Sequence, residues 1–493
     1  MYNKKIIQFL GTILFVVTVL SNVHPQSGFV FRYSTPEDKY PNDIVETSDG
    51  GYIISVSVGT YPLDYQTLLF RLDKYGDTIK TMKIMVPQGT CVINDIVKLD
   101  NGNFIGLGLK KHNNNNAAHL WLLTLSDSLT IVNDTSFSTN FSDCWNLLGI
   151  IDHFHDIIIY GDAIPYGTPP NPYPFVFKIS QNCDSLFSRY YTNPWGQIVY
   201  SMMEKQDSTG YLMSISGSMN PPSYSPSQFL TMDYGFNITR MDSIPGSLEL
   251  YMNTGILNAK MFLVTGLRHF EFSNPRTDKI GILKIDTIFQ ISDEFFFGPD
   301  DTVTYPAYNT NLSFLNPENI FLGGVANQDW GNIFSYNLSY IMLGKFDSAL
   351  NLTWQKYFGG DMYYMVWSVI ATTDGGCIIG ASSNDYATQG EQRDIYILKV
   401  DSNGILTGIN NPPPVQNQES VVYPNPGNDI IYIETKNENS TFNLYDLTGR
   451  LTYNMTLLPG KNQIPVQNLK QGLYIYKIIG NSEVKGYGKW IKN

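Results

Sequence analysis

The feature that most constrains this chain is a unit that recurs along most of its length. One copy runs from Asp43 through the turn Asp49-Gly50-Gly51 to Leu68-Leu69-Phe70-Arg71-Leu72-Asp73, and another runs from Ser368 through Asp374-Gly375-Gly376 to Ile395–Asp401. A further copy opens at Asp95 and turns at Asp100-Asn101-Gly102. Degenerate copies pair Ile157–Tyr160 with Phe175–Lys178, Tyr211–Ser214 with Phe236–Thr239, Phe262–Thr265 with Ile282–Ile285 and Ile320–Gly323 with Ile341–Gly344. That makes seven units of about 50 residues, each with four strand-like runs, and a fixed period of this length means units that stack on one another. Aromatic residues (14%) nearly match charged ones (15%), a balance that suits strands better than solvated helices. The expectation is an all-β chain whose residues 27–410 form a seven-bladed β-propeller, since blades bury both faces against neighbours. The last unit has little room for a fourth strand before Pro412-Pro413-Pro414, while Phe29–Tyr33 stands alone before the first unit. Phe29–Tyr33 is therefore predicted to complete the seventh blade and close the ring. A β-helix, an open stack of sandwiches, or six or eight blades are the alternatives at this level.

The two ends read differently from the repeats. Lys4-Lys5, the mainly apolar run Ile6–Leu20 and Pro25 follow the plan of a signal peptide over 1–26, and the run falls short of the roughly 20 residues that span a bilayer. Residues 411–419 are polar and proline-rich, as in an extended linker. Beyond them, short strand-like runs separated by turn residues predict a small Ig-like β-sandwich over 420–493. Pro424 and Pro426 lack a donor and precede the first strand, and Gly449 permits a hairpin turn.

Four pieces of this tail stand in order: Tyr423-Pro424-Asn425-Pro426, Tyr445-Asp446-Leu447-Thr448-Gly449-Arg450, Gly472-Leu473-Tyr474 and Lys489-Trp490-Ile491-Lys492. With them the tail resembles the type A C-terminal sorting domain of proteins exported by the bacterial type IX secretion system. The resemblance implies a sorting signal carried by Pro424, Pro426, Asp446, Gly449, Arg450, Gly472, Tyr474, Lys489 and Lys492. It also implies passage across the outer membrane of a Gram-negative cell, removal of the tail by the secretion machinery, and release or attachment to surface lipopolysaccharide.

The cargo's own function is less legible. A net charge of −12 opposes binding to nucleic acid. Within each unit the first–second and third–fourth connections are tight turns, which puts the long second–third loops together on the opposite face, where binding residues usually sit. These loops carry Tyr61, Tyr65, Tyr166, Tyr173, Tyr224, Trp330, Tyr336 and Tyr386, rings able to stack on a sugar or pack on a peptide, or simply on their own loops. The expectation is a monomeric, non-enzymatic binding or adhesion module for a glycan or protein. The alternative is a secreted hydrolase acting on glycans or peptides at a central site. Asp300, Asp301 and Asp361 are paired-acid candidates for hydrolysis or for calcium, the one cofactor left open, and otherwise acidic loop residues.

Other motifs carry weaker readings. Thr47-x-Asp49-x-Gly51 and Thr372-x-Asp374-x-Gly376 resemble the structural Asp-box turns of sialidase-like propellers, but the eight arginines form no cluster for a sialic acid carboxylate. His153-x-His155, flanked by Asp152 and Asp156, has the spacing of metal ligands yet occupies the place of a tight turn, so an exposed turn is expected. No nucleophile elbow, phosphate loop or His-Glu-x-x-His is present. Asp127-Ser128, Asp184-Ser185, Asp242-Ser243 and Asp347-Ser348 are assigned to third–fourth turns and resemble short O-glycosylation sites, though turn chemistry alone explains them. Cys91, Cys144, Cys183 and Cys377 are read as buried thiols, with Cys91 and Cys144 the pair expected if a disulfide forms.

Overall fold

A computed structural model describes residues 28–492, apart from 60–64, 113–116, 166–171, 193–197, 216–226, 244–247, 249, 269–277, 300–301, 329–337, 386–388, 390–391, 407–419, 424–426, 436–439, 447–449 and 481–482. The signal-peptide segment, the linker, Asp300 and Asp301 thus lie outside the described residues. The named elements are all β-strands, and the chain divides into two units, Met1–Asn410 and Asn411–Asn493.

The first unit contains seven antiparallel sheets. Six follow one another along the chain, and blades 1 to 6 occupy residues 38–84, 89–138, 141–190, 199–243, 253–297 and 304–359. The seventh combines Tyr363–Ala371, Cys377–Asn384 and Asp394–Val400 with Phe29–Tyr33, whose Phe29 pairs with Lys399 and Tyr33 with Ile395. The ring closes as expected, through a fourth strand supplied by the N-terminal end. One boundary differs: the third strand of blade 4 is Gln228–Met232, and Phe236 belongs to the turn that follows it.

Burial explains the strand order within a blade. The second and third strands are almost wholly buried, as in Tyr52–Gly59 and Gln66–Leu72, because both of their faces meet neighbouring sheets. The fourth strand alternates or lies exposed, as in Thr78–Ile84 and Ile131–Ser138, and forms the rim. The first strands meet one another around the axis.

The Arg/Lys of the recurring third-strand motif has a defined job. Arg71 Nη2 donates to Asp49 Oδ1 (2.7 Å), Lys178 Nζ to Asp152 Oδ2 (2.9 Å) and Lys399 Nζ to Asp374 Oδ2 (2.8 Å). Each cation thus holds the aspartate of its own first–second turn. Burial works to raise the Asp49 carboxyl, but Arg71 and local donors outweigh it and bring it down to about 2.

The third–fourth turns are equally regular. Their last residue bonds back to the first (for example Leu129 N–H to Ser126 O, 3.0 Å), and non-glycine residues Leu129, Cys183, Phe236, Phe289 and Leu350 take left-handed φ values of 53–67° there. Such a conformation costs an L-residue about 1–2 kcal/mol. It is retained because each side chain plugs the seam with the preceding blade: Leu129 packs with Ile53 and Leu69, and Phe236 with Ile158 and Val176. In the other two blades the residue is glycine, and a ring from the preceding blade fills the place. A Cβ on Gly76 would stand 2.4 Å from Phe29, and one on Gly404 would stand 2.9 Å from Trp354. Asp127-Ser128, Asp184-Ser185 and Asp347-Ser348 lie in or beside these turns, whereas Asp242-Ser243 ends the fourth strand of blade 4, contrary to its assignment to a turn. The four cysteines are buried and free. Cys91 and Cys144 lie within first strands, their thiols turned to Gln66 Oε1 and to Asn146 O respectively.

The second unit is a two-sheet sandwich. Ser420–Tyr423, Ile430–Thr435 and Gly460–Pro465 form one sheet; Leu451–Leu457, Ser440–Tyr445, Gly472–Gly480 and Glu483–Lys492 form the other. Ile431, Ile433, Phe442, Leu444 and Trp490 are its buried core.

Two outcomes are expected. Phe29→Ala empties the space over Gly76 and should lower stability by about 3 kcal/mol, measured by denaturant unfolding of the mature chain. Gly76→Ala should destabilise by the opposite route, overpacking the same seam.

Candidate functional site

The axis is built from one position in every blade. Five of the first strands carry a β-bulge at equivalent places, at Asn42, Asn94, Trp145, Tyr200 and Trp367. A bulge turns the next residue toward the neighbouring strand. Across the seven blades that next position holds Asp43, Asp95, Asn146, Ser201, Asn253, Asn311 and Ser368, all polar. Most of them bond across a blade boundary. Asp43 Oδ2 accepts the Ile96 N–H (2.9 Å) and Asp95 Oδ2 accepts the Gly149 N–H (2.7 Å). Asn146 Nδ2 donates to Val199 O (3.0 Å), Ser201 Oγ meets Thr254 Oγ1 (3.0 Å), and Asn253 Oδ1 accepts the Asn311 N–H (2.5 Å).

Blade 6 departs from the pattern. Its first strand is split into Thr304–Pro306 and Leu312–Ser313, and the intervening segment leans into the axis. The Asn309 N–H donates to Trp367 O of blade 7 (2.8 Å), its carbonyl accepts from Asn253 Nδ2 of blade 5 (3.0 Å), and its Nδ2 reaches Asn42 O of blade 1 (2.9 Å). A side chain of blade 6 that bonds blade 1 must cross the axial space in front of blade 7. Asn309 therefore floors the axis at the level of the bulges, and the described residues above it, toward the long-loop ends of the strands, form the wall of an axial cup.

The wall of this cup is an arc of aromatic rings. Tyr65 meets Tyr40 (5.3 Å between centroids), Tyr40 stacks on Trp367 (4.8 Å), Trp367 on Tyr308 (4.9 Å), Tyr308 meets Tyr251 (5.2 Å) and Tyr251 meets Tyr200 (6.3 Å). The arc spans blades 4 to 7 and blade 1. Tyr40, Trp367, Tyr308 and Tyr251 are only half-buried although they lie near the centre of the unit. Burial pushes the Tyr251 hydroxyl up to about 12 and that of Tyr308 well above its ordinary value, so these hydroxyls remain neutral hydrogen-bonding groups at physiological pH.

One side of the rim is charged. Arg393 holds Asp38 through Nε–Oδ1 (2.9 Å) and Nη2–Oδ2 (2.5 Å), its guanidinium lies 5.2 Å from the Tyr40 ring centroid, and Tyr65 OH donates to Asp38 Oδ2 (3.1 Å). Burial works to raise the Asp38 carboxyl, but the Arg393 bonds and charge prevail and hold it below the ordinary range. On the other side, Gln328 is buried with its Nε2 toward Tyr363 OH (3.0 Å) and Tyr308 OH (3.3 Å), and its Oε1 has no partner among the described residues. Behind the wall, burial raises the Asp162 carboxyl to about 7.

The residues singled out in the sequence fare unevenly. Tyr61, Tyr166, Tyr224, Trp330, Tyr336 and Tyr386 lie outside the described residues. Tyr65 is buried and bonded to Asp38, so it is wall and not a ring held out on a loop. Tyr173 opens the third strand of blade 3, half-buried and paired with Ala163. Asp361 accepts from Tyr364 OH (2.7 Å), at the rim. His153 and His155 lie on an exposed turn and face opposite ways, to Glu204 of blade 4 and to Asp100 of blade 2 (2.6 Å for the latter). Among the described residues no three His, Cys, Asp or Glu side chains gather as metal ligands. In the tail, Tyr474 OH donates to Lys470 O (2.8 Å), Arg450 Nε to Asp446 Oδ2 (3.0 Å), and Lys492 Nζ lies 3.4 Å from Asp429 Oδ1. Gly472 has φ +149° with open space around it, Lys489 pairs with Ile475, and Pro424, Pro426 and Gly449 are outside the described residues. The axial rings Tyr40, Trp367, Tyr308 and Tyr251 were not singled out from the sequence; three polar-and-aromatic steps, Tyr40-Pro41-Asn42, Tyr251-Met252-Asn253 and Tyr308-Asn309, are the signal that was there.

Residues 421–493 match the family model of the secretion system C-terminal sorting domain. The tail is thus a type IX sorting domain, and the chain is delivered by that machinery to the cell surface or the medium. No curated protein matches the sequence. Among solved structures, the β-propeller domain of the Trilobed protease from Pyrococcus furiosus is similar at 8% identity, over 76% of this chain and 99% of that one, with a TM-score of 0.44. PorZ, a surface component of the type IX secretion system of Porphyromonas gingivalis, is similar at 10% identity over 92% of this chain and 81% of its own, with a TM-score of 0.22. A Penicillium chrysogenum α-L-arabinanase is similar at 9% identity over 62% and 92%, with a TM-score of 0.41. Scores this low carry no argument; the propeller rests on the sheets and ring closure described above.

Removing Arg393 tests the rim. Arg393→Met leaves the largely buried Asp38 carboxylate unpaired and should cost about 3 kcal/mol at pH 7. The pair lowers the folded carboxyl below its unfolded value of 3.8, so its contribution is present above that pH and lost as pH falls through the folded value. Thermal unfolding should therefore find parent and variant converging as pH drops toward 3.

Proposed function

We propose that the exported propeller is a non-enzymatic binding or adhesion module that takes a glycan or protein segment into the axial cup. The observation that carries this reading is the aromatic arc from Tyr65 to Tyr200, which faces the long-loop side and is floored by Asn309. Half-buried rings bordered by neutral hydroxyls, amides and one fixed ion pair offer apolar contact with a few oriented polar groups, the composition of a recognition site. Trp367 is stacked with both Tyr40 and Tyr308, so a ligand meets the edges and hydroxyls of these rings more than the stacked faces. The mature chain works as a monomer with neither calcium nor another cofactor, and after loss of the tail it is released or joined to surface lipopolysaccharide.

The rival reading is a glycan- or peptide-directed hydrolase. It draws on Asp43 and Asp95, carboxyls of neighbouring first strands within hydrogen-bonding reach of each other. Each already accepts a backbone N–H of the next blade, and Asp43 lies one residue beyond Asn42 on the tight-turn side of the floor. Both features suit a latch between blades better than a reacting pair.

Their shared burial gives a pH test. Burial, then the neighbouring Asp95 charge, holds Asp43 well above 3.8, and burial raises Asp95. The folded chain then keeps a proton that the unfolded chain releases, so stability is full below 3.8 and declines as pH rises through the folded values. Asp95→Asn should melt higher than the parent at pH 8, on the order of 1 kcal/mol, with the difference closing toward pH 4. A catalytic pair would instead reveal itself as turnover that this variant abolishes.

Binding is tested by screening the mature chain on glycan and surface-protein arrays, with and without chelator, following Trp emission. The expected result is a ligand whose affinity falls at least tenfold in Tyr40→Ala and whose emission change is lost in Trp367→Phe. Release of cleaved product by the parent chain would overturn the non-enzymatic reading.

A further inference from the structure

The fourth-strand residue that faces the next blade varies from seam to seam. In blade 3 the fourth strand presents Phe187 opposite Lys178 and stacks it on Phe236 of blade 4 (5.3 Å). The same place is taken by Trp354 in blade 6, opposite Lys345, and by Phe29 in blade 7, opposite Lys399. In blades 1, 2 and 5 the place holds Lys80, Asn133 and Asp293, and in blade 4 it is Arg240, opposite Thr231. Arg240 turns to Asp242 (Nε–Oδ1, 2.8 Å) and sets its guanidinium 5.0 Å from the Phe289 ring centroid. Beside Arg240 and the Phe289 plug, the seam between blades 4 and 5 keeps a cavity of about 260 Å³.

The cavity opens on the tight-turn face, away from the axial cup. Met203 and Leu212 of blade 4 and Met261, Phe262 and Phe289 of blade 5 make its apolar walls; Lys205, Asp207, Arg240 and Asn258 stand among its polar lining residues, with Lys205 Nζ 3.2 Å from Asp207 Oδ2. Thioether and ring-edge walls favour a flat aromatic guest, because sulfur and ring edges both make favourable contacts with a π face. The guanidinium of Arg240 has five N–H donors, and Asp242 engages it at Nε and Nη2, which leaves donors for a second carboxylate.

The geometry points to this cavity as a binding site for a small aromatic carboxylate, its ring lying against the thioether and ring walls and its carboxylate meeting Arg240. This site is independent of the axial cup and its ligand.

The test uses the full mature chain and three probes: 3-phenylpropanoate, hexanoate as an alkyl acid of the same charge, and 3-phenylpropanol as the uncharged ring. Calorimetric titration should find saturable 1:1 binding of 3-phenylpropanoate at least tenfold tighter than either of the others. Ala259 is exposed at the mouth, so Ala259→Trp should abolish binding with the melting temperature unchanged. Arg240→Leu should reduce 3-phenylpropanoate to the affinity of 3-phenylpropanol. Equal binding of hexanoate, no saturable binding of 3-phenylpropanoate, or unchanged affinity in Ala259→Trp would each overturn the assignment. Should Arg240→Leu fail to fold, competition of the parent by chloride and by 3-phenylpropanol distinguishes an anion site from simple apolar capture.

Discussion

Everything at the centre of this molecule depends on the polar contacts that tie one first strand to the next. A propeller blade has one inner edge, and the backbone there turns away from the sheet's own ladder into a narrow space shared with neighbours. Unmet backbone groups in such a place are costly. Here Asp, Asn or Ser follows each of the five bulges and stands at the matching place in the other two blades, and most of these side chains bond across blade boundaries. The ring is fastened twice, by these latches at the axis and by Phe29–Tyr33 at the rim of blade 7.

The same constraint creates the candidate site. Because bulges and latches fix where each first strand stands, the residues just before them, Tyr40, Tyr251 and Tyr308, come into ring contact although they lie far apart in sequence. Asn309 adds the floor by bonding three other blades at once. Cup, arc and rim ion pair are consequences of closing the ring, which is why the site spans blades that share no loop.

The seams farther out obey a second rule, that each must be filled by something. Five turns hold a non-glycine residue in the left-handed region for the sake of the plug it provides, and two use glycine so that a ring can enter. At the seam between blades 4 and 5 the plug is Phe289, and a cavity of about 260 Å³ remains beside it and Arg240.

The repeat, the strand pattern, the closing strand at Phe29–Tyr33 and the sorting tail were legible in the sequence, because each is a local periodicity or a motif read along the chain. The turn and latch aspartates were visible as residues, but not their work, since Asp43 and Asp49 look alike until one is seen to serve the neighbouring blade and the other its own turn. The plugs escaped notice because Leu129, Phe236 and Phe289 occupy places where local preference expects glycine or asparagine. The aromatic arc escaped for a deeper reason. Its members are rings contributed by five blades, and only the closure of those blades around one axis decides which of them touch. Sequence by itself determined the address and the architecture; the tertiary structure alone decided which rings meet at the axis, because an arc made from separate blades exists in no single stretch of chain.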